Sequence, residues 1–110
     1  MSAEKQSHEY GNIHFINERQ RELFAEARFG QQVEDFLRTD IGRYLHGCAS
    51  QDVNIAMQNM ADIRPGDPKF RSKFSKEKFD YEVALKFIVW LGQAIERGSK
   101  AEYMLNEGEF

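Results

Sequence analysis

Two prolines, one cysteine and one tryptophan are all this chain has of the residues that usually mark breaks, bridges and anchors. Pro65 and Pro68 fall together, so the rest of the sequence runs without a strong helix breaker. Cys48 has no internal partner for a disulfide, which makes a reducing intracellular setting the expectation. No apolar run reaches the roughly 18 residues of a membrane span. Residues 1–10 are polar and mixed in charge, without the apolar centre of a signal peptide. The sequence also lacks a Gly-rich phosphate loop, a Gly-x-Ser-x-Gly elbow, a Cys-x-x-Cys pair and a His-x-x-x-His pair. His46 and Cys48 stand two apart, so on a helix they point to nearly opposite sides and make a poor metal pair. His8 and His14 lie in an arm that the sequence does not place. The expectation is a protein with no catalytic residues, no cofactor and no metal.

What is present is helical periodicity. Asp67-Pro68 has the form of a helix start, an acidic N-cap followed by Pro at the first helical position. Apolar residues then recur at Phe70, Phe74, Tyr81, Ala84, Ile88, Leu91 and Ile95, beside a second row at Phe79, Val83, Phe87, Trp90, Ala94, Ala101 and Leu105. Spacings of three, four and seven put both rows on one broad face of a helix over 68–105, about 57 Å long at 1.5 Å per residue. Trp90 sits mid-stripe and is expected to be buried as the core anchor, so Trp90→Ala would cost roughly 3–5 kcal/mol.

Upstream, residues 1–16 read as an arm, in which Ile13, Phe15 and Ile16 either dock on a helix or belong to a mobile tail. Asn17 with Gln20 approximates a capping box. A first helix is expected over 18–29, with Leu23, Phe24, Ala27 and Phe29 on its apolar face. Gly30 breaks it, because Gly costs about 1 kcal/mol in a helix interior. A second long helix follows over 31–63, closed by Arg64-Pro65-Gly66. The short connection makes the two long helices antiparallel neighbours, and residues 106–110 read as a frayed acidic tail. The expected fold is all-α, a single domain over 17–105: a long antiparallel helical hairpin with a shorter N-terminal helix along it, in a homo-oligomeric bundle.

Two clusters stand out as candidate contacts. Gly42 and Gly47, with Tyr44 between them, lie beside the apolar stripe, where a backbone or a second subunit can approach closely. Lys69, Arg71, Lys73, Lys76 and Lys78 face only Glu77 in charge, a local +4 in a chain of −3 overall. Interleaved with Phe70, Phe74 and Phe79, they suit either a nucleic-acid backbone or an acidic protein surface. Phe70 and Phe74 continue the core stripe, however, and make the cations its solvated flank.

The run Phe36-Leu37-Arg38-Thr39-Asp40-Ile41-Gly42-Arg43-Tyr44-Leu45-His46-Gly47 carries a resemblance, together with Gln51, the Asp67-Pro68 restart and the Trp90-Leu91, Ala94-Ile95, Gly98 and Ala101-Glu102 ending. It resembles a group of small tailed-bacteriophage proteins encoded among virion-assembly genes. The likeness covers about residues 33–105. Those relatives tend to carry Arg-Ala-Glu-Gln-Glu after the second Gly, where this chain has Cys48-Ala49-Ser50-Gln51-Asp52. The resemblance implies a non-enzymatic, self-associating protein of the virion or its assembly, located in the virion or the host cytoplasm. Its partners would be itself and other phage proteins, with no membrane. The alternative is a small intracellular phage protein that binds a host factor, a nucleic acid or a nucleotide.

Overall fold

The computed structural model describes residues 13–110, and these form three helices: α1 (Glu18–Arg38), α2 (Asp40–Asp62) and α3 (Phe70–Asn106). The expected arm is therefore described only from Ile13, and His8 lies outside the described residues. Phe15 packs on Phe24 of α1 with ring centroids 5.5 Å apart, while Ile13 and Ile16 stay exposed.

The chain is a hairpin whose first limb is broken once. Asn17 at the start of α1 bonds the Phe110 carbonyl (3.0 Å) beyond the end of α3. Gly30 meets Gly98, and Asn59 near the end of α2 bonds Glu77 near the start of α3 (3.2 Å). These three links run antiparallel, so α1 and α2 lie in tandem along α3. The short N-terminal helix expected to pack along the hairpin is instead the first half of one limb.

The break falls at Thr39 and not at Gly30. The Thr39 hydroxyl donates to the Phe36 carbonyl at the end of α1 (2.6 Å) and accepts from the Gly42 N–H in the first turn of α2 (3.0 Å). One side chain thus caps two helix ends, in the extended backbone conformation an N-cap adopts. Gly42 completes the corner: a Cβ there would overlap the Phe36 carbonyl oxygen. Gly30 stays helical because it is needed for tertiary contact. A Cβ on Gly30 would lie 2.8 Å from the Gly98 Cα and 2.9 Å from the Ala94 carbonyl oxygen. Backbone-to-backbone packing of α1 on α3 outweighs glycine's low helix propensity.

The remaining ends follow from their residues. Asn17 accepts from the Gln20 N–H (2.8 Å) and Gln20 accepts from the Ile16 N–H (2.6 Å), a variant of the expected capping box with its return bond one residue before the N-cap. Asp67 accepts from the Lys69 N–H (2.7 Å), and regular α3 begins at Phe70, two residues after the expected start. Residues 106–110 are not frayed: Gly108 takes φ +72° and closes α3, with the Glu109 N–H donating to the Met104 carbonyl (2.8 Å).

The core is thin. Among the described residues, only Leu23, Val33, Ala56 and Ala101 are buried apolar residues. The molecule measures 64 × 29 × 27 Å, with a radius of gyration of 20.2 Å. A compact chain of this length would have a radius of gyration of about 13 Å.

Candidate functional site

The expected core stripe on α3 is covered in part: its second row holds the buried Ala101 but also the exposed Phe79, Val83 and Trp90. Tyr81, Ala84, Ile88, Leu91 and Ile95 are half-buried, and Gly98 is buried, so this row of alternating three and four spacing faces the first limb. Phe79 (66% exposed), Val83 and Trp90 (61% exposed) stand beside it in water. The expectation that Trp90 anchors the core is corrected here. A single limb covers one narrow stripe of α3, and position 90 falls outside that seam. Periodicity identified both rows, but the covered one is chosen by the register that Gly30–Gly98 fixes.

The uncovered row continues across the hairpin through two grooves on one side. One groove, about 470 Å³, is lined by Ile55 and Ala56 of α2 with Phe79 and Val83 of α3, edged by Asp52, Lys76 and Asp80. The other, about 300 Å³, is lined by Phe29 of α1 with Trp90 and Ala94 of α3, edged by Glu26 and Arg97. Positions 79, 83, 90, 94 and 97 follow helical spacing along α3, so both grooves open to the same side. On α2, Ile41, Tyr44 and Ile55 form a row on that side, and all three are exposed. The opposite side carries another groove, in which Glu34, Glu96, Ser99 and Lys100 surround Ile95 and Tyr103, and Tyr103 is the one large apolar side chain there that is exposed. One side therefore concentrates the large exposed apolar groups.

The glycine pair separates. Gly42 makes the expected close approach, but to the end of α1 rather than to α3 or a second subunit. A Cβ on Gly47 would meet nothing within 4 Å, so Gly47 has no close neighbour within the chain. Tyr44 lies on the apolar side, and its interaction with the Cys48 thiol one turn on raises its phenol above the usual range. The close helix crossing is made instead by Gly30 and Gly98. A Gly in each of two apolar helical patterns was its only signal in the sequence.

The basic cluster is partly neutralised from within. Lys73 reaches Asp67 (2.6 Å), and Lys76 reaches Asp80 (3.1 Å) and Glu77 (3.6 Å). The Lys73 ammonium, and then the Lys69 N–H, hold the Asp67 carboxyl below its usual range. The Asp80 and Glu77 carboxylates raise Lys76. Lys69, Arg71 and Lys78 are exposed and make no ion pair with another described residue. Among the described residues no three His, Cys, Asp or Glu side chains gather as metal ligands, and no helix is long and apolar enough to cross a membrane. No family model, curated protein or solved structure matches the chain.

Proposed function

We propose that this chain is a non-enzymatic bacteriophage protein that self-associates and serves the virion or its assembly. The observation that carries self-association is the apolar side of the hairpin, with Phe29, Ile55, Phe79, Val83 and Trp90 open to water. Leaving such side chains wet forfeits roughly 1.5–3 kcal/mol each relative to full burial. Contiguous patches of this kind on a soluble monomer mark contact surfaces. The phage assignment is supported by the resemblance over residues 33–105. Within it, Thr39 and Gly42 have a clear structural task at the corner between α1 and α2.

A rod-like hairpin with one sticky side suits a repeated building block better than a pocket-based binder. Quantitative mass spectrometry of purified phage particles tests the virion role. A fixed copy number per particle is expected if the protein is a virion component. Presence in infected-cell lysate with absence from particles and assembly intermediates would overturn the assignment in favour of an intracellular binding role.

A further inference from the structure

Resting on the self-association reading, we propose that the occupant of the apolar side is a second copy of this chain, paired antiparallel through α3. The two-fold axis passes near Ala84 and Leu85. Phe79 of each copy then enters the groove beside Phe29 and Trp90 of the other, and Trp90 enters the groove beside Ile55 and Val83.

Area, shape and charge each favour this pairing. An aromatic side chain presents 150–250 Å², and the exposed fractions of the apolar groups on this side leave on the order of 700 Å² uncovered. A stable interface needs about 800 Å² per partner including its polar rim. Each α3 offers one large aromatic on either side of position 84, and each hairpin offers one groove at either aromatic, so a two-fold operation matches both pairs at once. Trp90 and Phe79 are aromatic side chains, whose large apolar area dominates interface energetics.

Glu82 and Lys86 flank the row one turn apart, and neither makes an ion pair with another described residue. An antiparallel copy places Lys86 of each chain opposite Glu82 of the other. A parallel copy would set Lys86 on Lys86 and Glu82 on Glu82, which is repulsive. The geometry therefore selects the antiparallel pair.

The test uses the full chain with Cys48→Ser, a single new cysteine and a short bis-maleimide that bridges about 8 Å. Val83→Cys lies near the axis and is expected to give a covalent dimer. Ser72→Cys, on the same row but far from the axis, is expected to give none, because its mate lies near Arg97 of the second copy. Cross-linking of Ser72→Cys as strong as that of Val83→Cys would mean a parallel pair and overturn the proposal. Light scattering of the otherwise native chain separates the two layers of argument. A mass above 12.9 kDa with no cross-linking at Val83→Cys places the interface elsewhere while self-association stands. A mass of one chain ends both. Trp90→Glu is expected to raise the dimer dissociation constant at least tenfold, and Tyr103→Glu on the opposite side to leave it within twofold. Circular dichroism checks that each variant keeps its helices, and a spectrum matching the parent is expected.

Discussion

Three glycines in this chain illustrate how one residue type takes opposite roles. At the Gly30–Gly98 crossing, an added methyl at either position meets backbone at 2.8 Å, and backbone cannot rotate away. Gly98→Ala is therefore expected to destabilise the fold by about 1–3 kcal/mol despite alanine's better helix propensity. Gly47→Ala adds its methyl to open space and is expected to stabilise by roughly 0.5–1 kcal/mol. Thermal unfolding of the two variants checks both signs, and a stabilised Gly98→Ala would contradict the crossing. The role of Gly30 was not legible in the sequence, because intrinsic propensity argues for a break and the contact that reverses it lies far along the chain at Gly98. Trp90 stands outside the core for a related reason. Periodicity finds apolar rows, but burial depends on how many limbs are available to cover them. With 61% of its surface exposed, Trp90→Ala should cost the isolated chain well under the roughly 3–5 kcal/mol of a core truncation.

At the scale of elements, the helix ends carry most of the specific chemistry. The Pro65–Pro68 turn and the α3 seam were legible because proline and a three-four apolar spacing are local signals. The Thr39 corner has a local signal too, Thr followed by Asp at the head of an apolar run, but such a pair is equally compatible with the interior of a long helix until the Gly42 contact with Phe36 is seen. Thr39→Ala removes both hydroxyl bonds, leaving the Thr39 backbone N–H on the Phe36 carbonyl at the end of α1, and is expected to cost about 1–2 kcal/mol. A variant that unfolds within a degree of the parent would remove Thr39 from this account. Asp67 makes the other turn sensitive to pH. Its folded carboxyl titrates below its ordinary 3.8, chiefly through the Lys73 hydrogen bond and then the Lys69 N–H. The charged form is thus favoured by folding, so the stabilisation is present above the unfolded value and lost as pH falls through the folded one. Melting temperature should drop on acidification below about pH 4, and Asp67→Asn should flatten part of that drop. An identical acid profile in Asp67→Asn would show that the turn contributes nothing to it.

For the whole molecule, surface decides the argument. A compact monomer of 12.9 kDa exposes about 6,300 Å² by the usual size scaling. This chain exposes 8568 Å². The excess follows from a two-limbed rod whose described residues include four buried apolar side chains. Among the described residues the long-range hydrogen bonds between the limbs are Asn17 to Phe110 and Asn59 to Glu77, and ion pairs such as Arg19–Glu22 and Arg43–Asp40 are local and exposed, worth little each. On the proposed pairing, hydrophobic cover from another copy supplies what the single chain lacks. The direct measurement is sedimentation equilibrium of the full chain across micromolar concentrations, with Trp90 emission recorded on the same samples. The account predicts a mass at or above twice 12.9 kDa and a Trp90 spectrum that shifts toward solvent-like emission on dilution. A mass of one chain throughout, with emission unchanged, would contradict it.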